Sequence, residues 1–257
     1  MINCFRLYSN ISDTDTSKTV GFRYLGNKLV IGIIYFLNEL LIKKESKMKK
    51  DLTDLTVVLD RSGSMQMCKE DAEGGVNQFI EDQKKQEGEC LLTLVQFDTD
   101  YEFVHNGVPI KDVPKYKLVP RGMTALLDAV GKAINETGER LAKMNEDDRP
   151  GLVVFVIVTD GGENSSMEFK RAQIKEMIEK QTDEYKWEFT FIGANQDAFA
   201  EAGSIGISIG KTANFNVSKS KQAYAGLSRN VSSMRGQSAG GQSVKCCYSD
   251  KERKDME

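Results

Sequence analysis

The sequence predicts an α/β fold in which a doubly wound, mostly parallel sheet lies between helices on both faces, with one antiparallel strand at an edge. From Leu52 onward, short apolar runs alternate with segments of helical periodicity. The first three runs are apolar nearly throughout, which is typical of parallel strands covered on both faces. Alternating strands and helices imply right-handed crossovers and an open sheet.

Four apolar runs are the predicted parallel strands, at residues 55–60, 91–97, 152–160 and 187–194. The segment at residues 101–110 follows the second run after only three residues, too few for a crossover helix. We therefore expect it to pair antiparallel at the edge of the sheet. A last short strand is expected at residues 215–217.

Amphipathic stripes mark the helices between these strands. Ala72, Val76, Phe79 and Ile80 recur at i, i+4, i+7 and i+8, so they share one helix face. Further stripes predict a long helix from Leu126 to near Met144, a less regular one over residues 169–178, a short one at 197–203 and a polar one at 219–234.

The 257 residues divide into three predicted parts. We expect one folded domain at residues 52–236 and a disordered tail at residues 237–257, which is Gly/Ser-rich and then charged and would expose Cys246 and Cys247. Residues 1–47 carry seven Lys or Arg against four Asp or Glu. Two interpretations stay open for them: a gene start placed too early, with translation beginning at Met48, or an amphipathic anchor.

Composition excludes several classes of function. The net charge of −3 is mild and evenly spread, so we expect neither nucleic acid nor an anionic membrane surface as partner. The longest apolar segment, residues 29–42, is interrupted by Asn38 and Glu39 and is shorter than the roughly 20 residues a bilayer helix needs. Five cysteines without CxxC spacing favour reduced thiols and a cytoplasmic location. The single histidine, His105, disfavours a Ser-His-Asp hydrolase and is expected to be an ordinary residue of the edge strand.

Oxygen-bearing side chains follow the predicted strands at three places. Asp60 and Asp160 each end an apolar run, at the carboxyl edge where ligands of such sheets gather. Ser62 and Ser64 alternate with Asp60, so an extended loop would turn all three side chains to one side. Thr124 follows Gly122 at a junction between loop and helix, where threonine is a natural N-cap. Oxygen donors without nitrogen or sulfur are the preference of a hard cation such as Mg²⁺, or of Mn²⁺.

These residues resemble the metal-ion-dependent adhesion site (MIDAS) of von Willebrand factor type A domains, whose signature is Asp-x-Ser-x-Ser, then a separate Thr, then a separate Asp. The matching segments are DRSGS with Asp60, Ser62 and Ser64, GMTAL with Thr124, and TDGGEN with Asp160. The resemblance covers roughly residues 54–234. It implies a three-layer, Rossmann-like domain that binds a divalent cation and uses it to hold an Asp or Glu of a partner protein.

Three functions stay open on the sequence. The first is an intracellular binding module of bacterial or phage type that is not an enzyme. The second is a Mg²⁺-dependent phosphoryl-transfer enzyme with Asp60 as nucleophile and Asp160 holding the ion, although the chain has no P-loop. The third is a purely structural ion that ties three loops together. The oligomeric state does not follow from the sequence.

Other polar residues near the motifs have two interpretations each. Ser64 could also cap the helix that follows it. Asp98 and Asp100 flank a turn and are expected to be loop residues. Asp128 either orients loop groups or is a solvated helix residue. Glu163 and Asn164, which lie shortly after Asp160, could shape the rim of the site or hydrogen-bond metal-bound water.

Overall fold

Six strands form one mixed sheet in the computed structural model, which describes residues 48–194 and 198–256. The strands are β1 (Lys49–Asp60), β2 (Glu89–Phe97), β3 (Tyr101–Pro109), β4 (Pro150–Thr159), β5 (Glu188–Ala194) and β6 (Thr212–Phe215). Their order is β3-β2-β1-β4-β5-β6, and β3 alone runs antiparallel to its neighbour. This confirms the predicted fold class and the antiparallel edge strand, on which His105 lies.

The central strands are buried on both faces. In β1, Val57 belongs to one apolar cluster and Val58 to the cluster on the opposite face. In β4 the same holds for Val154 and Phe155. Since neighbouring residues of a strand point to opposite faces, both must be apolar, which explains the uninterrupted apolar runs.

Six α-helices within the described residues cover the sheet. They are α1 (Lys69–Lys84), α2 (Leu126–Ala142), α3 (Arg171–Tyr185), α4 (Ala198–Ser204), α5 (Ser220–Ala239) and α6 (Asp250–Met256). The buried residues of α1, α5 and α6 pack into one cluster, and those of α2, α3 and α4 pack into the other. A 3₁₀ helix, Gly63–Cys68, joins β1 to α1. Several predicted bounds move. β1 begins at Lys49 rather than residue 55, and the helix predicted at 169–178 spans Arg171–Tyr185. The last strand is Thr212–Phe215 rather than 215–217, because Ala213 and Phe215 pack against β5 and the core, and α5 continues to Ala239.

The expectation of a disordered tail at residues 237–257 is wrong for the described residues. Cys246, Tyr248 and Met256 are buried in the core, although Cys247 is exposed as expected. The Tyr248 hydroxyl hydrogen-bonds Thr190 Oγ1 at 3.0 Å. The few apolar residues of this polar segment thus cover β5 and β6, which the folded unit would otherwise expose.

Two predicted segments lie outside the described residues: 1–47, and Asp197 at the start of the predicted short helix. Within the part of the chain that the structure describes, every helix is too short or too polar to span a bilayer.

Candidate metal centre

Asp60 is held rigidly at the carboxyl edge of the sheet. It is the last residue of β1, and its side chain has no exposed surface. Its Oδ1 accepts a hydrogen bond from the Ser62 backbone N–H at 2.6 Å, and its Oδ2 accepts one from Thr159 Oγ1 at 2.6 Å. Thr159 ends the adjacent strand β4, so the carboxylate is fixed between two parallel strands.

The two serines converge, but by a different geometry from the expected extended loop. Ser62 is extended, with φ −57° and ψ 166°, and the chain then turns into the 3₁₀ helix Gly63–Cys68. The Oγ atoms of Ser62 and Ser64 lie 2.9 Å apart. Ser64 does not cap α1, which begins only at Lys69; instead its Oγ donates to Asp160 Oδ1 at 2.7 Å.

Thr124 completes the group, although not as a helix cap. The capping position is Ala125 and α2 begins at Leu126, so the N-cap prediction is wrong. Asn164 holds the Thr124 backbone on both sides: Thr124 N donates to Asn164 Oδ1 at 2.9 Å, and Asn164 N donates to Thr124 O at 3.0 Å. Thr124 precedes the capping position by one residue, so its Oγ1 is not the cap of α2.

Gly161 shows how closely these oxygens gather. A Cβ atom added to Gly161 would lie 3.2 Å from Thr124 Oγ1, 3.4 Å from Ser64 Oγ and 3.9 Å from Asp60 Oδ2. Together with the Ser62–Ser64 and Ser64–Asp160 contacts, this brings all five predicted side chains to one small space. Sequence reasoning missed Thr159 and Gly161, although both flank Asp160 directly.

The site is electronegative. Burial raises the pKa of Asp60 to about 6; the hydrogen bonds from Thr159 and Ser62 lower it, and the nearby charge of Asp160 raises it further. Burial also raises the pKa of Asp160, despite the Ser64 hydrogen bond. Neither carboxylate forms an ion pair with any described residue, since Arg61 turns away to Asp98.

These donors fit a hard divalent cation. Two carboxylates and three hydroxyls supply only oxygen, the donor atom that hard divalent cations prefer. No group of three or more His, Cys, Asp or Glu residues suited to a metal occurs in residues 48–194 and 198–256. A cation at this point would have the carboxylates of Asp60 and Asp160 and would need the hydroxyls of Ser62, Ser64 and Thr124 as further donors.

Asp98 is a second buried carboxylate that braces the site. It was expected to be a simple loop residue, but it is 1% exposed. Its Oδ2 accepts hydrogen bonds of 2.8 Å from the Nε atoms of Arg61 and Arg121, and its backbone oxygen accepts one from Ala125 N–H. Burial by itself would raise the pKa of Asp98, but the Asp100 amide and the two arginines outweigh it and lower the pKa. Asp98 thus ties the loops that carry Ser62 and Thr124.

Asp128 orients the loop after β4, which decides between its two interpretations. Its carboxylate accepts hydrogen bonds from the backbone N–H groups of Met167, Glu168 and Phe169, at 2.8 to 2.9 Å. Glu163 complements it, because its Oε2 accepts from the Leu127 N–H in the first turn of α2. Both acids fasten this loop to α2.

Comparison with known proteins finds relatives only at the level of structure. No family model and no curated protein matches the sequence. Proximal thread matrix protein 1 from the mussel byssus superposes with a TM-score of 0.53 at 16% identity, over 69% of this chain and 45% of that one. The same mussel protein with a zinc-occupied MIDAS motif gives 0.50 at 14% identity, over 70% and 48%. A von Willebrand factor type A protein from Catenulispora acidiphila gives 0.49 at 10% identity, over 70% and 43%.

At these identities the likeness shows the fold alone. The structural neighbours support a von Willebrand factor type A fold, with its mostly parallel six-stranded sheet flanked by helices. This chain spans less than half the length of the mussel protein chains that it matches.

Proposed function

We propose that this chain is a metal-dependent protein-binding module, in which the five side chains of the candidate centre hold Mg²⁺ or Mn²⁺ and a partner protein presents an Asp or Glu to the ion. The observation that carries the proposal is the meeting of two buried carboxylates and three hydroxyls from three loops, with no positive side chain paired to the carboxylates among the described residues. The zinc-occupied MIDAS of the mussel neighbour supports a divalent cation in this fold.

Each side chain has a definable part in such a site. Asp60 and Asp160 supply negative charge, whereas the serine and threonine hydroxyls are neutral donors. A bound divalent cation would supply positive charge at the protein surface that attracts an anionic oxygen. Ser64 is exposed while Asp60 is fully buried, so a partner carboxylate would approach from the side of Ser64.

The burial of Asp60 argues against the alternative of phosphoryl transfer. As a nucleophile, Asp60 would have to meet the phosphorus atom directly, but its side chain is unexposed. As part of a metal site, its charge can act on an ion together with the neighbouring hydroxyls of Ser62 and Ser64 and needs no such approach. We therefore propose binding rather than catalysis as the function of the site.

The first test is calorimetric titration of Mg²⁺ and Mn²⁺ into the purified, metal-free protein. We expect uptake of one ion, lost in the double variant Ser62→Ala with Ser64→Ala. Ser233→Ala, an exposed serine of α5, is the matched control and should bind as the wild type does. A folded wild-type protein that takes up neither ion would overturn the proposal.

The second test separates a binding module from a purely structural ion. Random displayed peptides are selected on the protein in Mg²⁺ and, in parallel, in EDTA. We expect Asp or Glu to be enriched in Mg²⁺ only. Metal uptake that stabilises the fold, without any selection of acidic peptides, would assign the ion a structural role.

A further inference from the structure

Three methionine side chains stand exposed on the loops of the candidate metal centre. Met67 is 85% exposed, Met123 is 52% exposed and Met167 is 93% exposed. Met67 lies three residues after Ser64, and Met123 directly precedes Thr124. Met167 belongs to the loop that follows Asp160. Each of the three loops therefore presents one methionine, and we call Met67, Met123 and Met167 the methionine rim.

Backbone hydrogen bonds join these loops into one surface. Gly63 N donates to Gly122 O at 3.1 Å, which links the first loop to the second. Asn164 N donates to Thr124 O, which links the second to the third. The Met167 N–H is itself bound to Asp128 at 2.8 Å. The methionines thus extend from anchored backbone in the same three loops that carry the oxygens of the candidate centre.

The position of the methionine rim distinguishes it from two of the other three large apolar side chains that are exposed among the described residues; the third, Val119, lies in the same loop as Met123. Tyr185 at the end of α3 and Ile209 before β6 are also exposed, but both lie toward the amino ends of the parallel strands, opposite the candidate centre. Apolar side chains grouped around a polar site are typical of an interaction surface. Methionine suits such a surface because its unbranched, polarisable chain adapts to differently shaped apolar groups.

We propose that the methionine rim recognises a partner segment in which the acidic residue is flanked by bulky apolar side chains. This inference rests on the proposed function and specifies the partner for the same site. The carboxylate of the partner would meet the cation, and its apolar neighbours would cover the three methionines. A partner with polar flanks would leave the thioether chains in water and gain nothing from them. Because methionine is flexible, we expect selection for apolar character rather than for one particular side chain.

The test uses the same random displayed peptides, selected in Mg²⁺. We expect Leu, Ile, Phe and Met to be enriched beside the selected Asp or Glu. In the triple variant Met67→Ser, Met123→Ser and Met167→Ser, the acidic residue should still be selected but the apolar enrichment should disappear. A peptide selected on the wild type should bind this variant about tenfold more weakly, the loss expected from exposing part of the buried apolar surface.

Two controls keep the result specific. The corresponding triple leucine variant should retain the apolar enrichment, and Ile209→Ser should bind the selected peptide as the wild type does. The high exposure of the three methionines predicts unchanged thermal unfolding for both triple variants. Metal-dependent acidic selection without any apolar preference would overturn this inference alone. Failure to select acidic residues at all would overturn the proposed function, and this inference with it.

Discussion

Replacing Asp60 by asparagine is expected to stabilise the metal-free protein at neutral pH, although it removes a native carboxylate. Burial raises the pKa of Asp60 from its ordinary value of 3.8 to about 6, so the folded state resists its ionisation. A rise of about 2 pKa units corresponds to about 3 kcal/mol of lost stability once the group is ionised. Asparagine has nearly the same shape and carries no charge to bury.

The sign and the pH window follow from this pKa. Below about pH 4 the carboxyl is protonated in both folded and unfolded protein, and the loss of stability from an ionised Asp60 is absent. It develops as the pH rises from 3.8 to about 6 and is complete above that. The variant loses the hydrogen bond from Thr159 to a carboxylate, a cost of about 1 kcal/mol, although Thr159 Oγ1 still has Gly161 O at 2.8 Å as acceptor. The net gain at pH 7.5 should be about 2 kcal/mol.

Urea unfolding of the wild type and of Asp60→Asn, in metal-free buffer between pH 4 and pH 8, measures this gain. Asp98→Asn is the matched control, and we expect it to lower the free energy of unfolding at neutral pH instead of raising it. Because the arginines and the Asp100 amide lower the pKa of Asp98, its ionised form stabilises the fold at neutral pH, and the stabilisation fades as acid protonates it. Added Mg²⁺ should stabilise the wild type and not the Asp60 variant. An Asp60→Asn protein less stable than the wild type at pH 7.5 without metal would refute the reasoning.

Three further outcomes are expected. Gly161→Ala should weaken Mg²⁺ binding in calorimetry on the order of tenfold, since its methyl would crowd the metal-binding hydroxyls; unchanged affinity would contradict this. Arg140→Ala should lower the free energy of unfolding by about 3 kcal/mol, because it strips two hydrogen bonds from the fully buried Asp54 carboxylate; a loss under about 1 kcal/mol would count against that account. Deleting residues 244–257 should cost about 3 kcal/mol or more in urea unfolding, since it uncovers the sites of Tyr248 and Met256; a deletion as stable as the full chain would show that the segment is dispensable.

Local sequence patterns were sufficient for the architecture. The uninterrupted apolar runs of β1 and β4 required burial on both faces, and this implied helices on both sides of a parallel sheet. The three-residue gap before β3 left room only for an antiparallel return. Because the carboxyl ends of parallel strands share one edge, the topology also implied that Asp60 and Asp160 lie together.

The long-range contacts around the site could not be inferred in this way. Ser64 and Asp160 are 96 residues apart, and their 2.7 Å hydrogen bond depends on the 3₁₀ turn that replaces the expected extended loop. Thr124 is positioned by Asn164 rather than by a helix cap. Asp98 had no local pattern to distinguish it from an ordinary turn residue, because its arginine partners come from two other loops.

The sequence by itself determined the order of strands and helices from β1 to α5 and the kinds of donor atoms at the sheet edge, since both depend on side-chain type and spacing along the chain. Tertiary structure alone decided that residues 244–256 are packed and that Met67, Met123 and Met167 are exposed on the loops of the candidate centre. The physical reason is that periodicity records only which side of its own element a residue faces. Which distant element covers that side, or leaves it bare, is settled only when the whole chain packs.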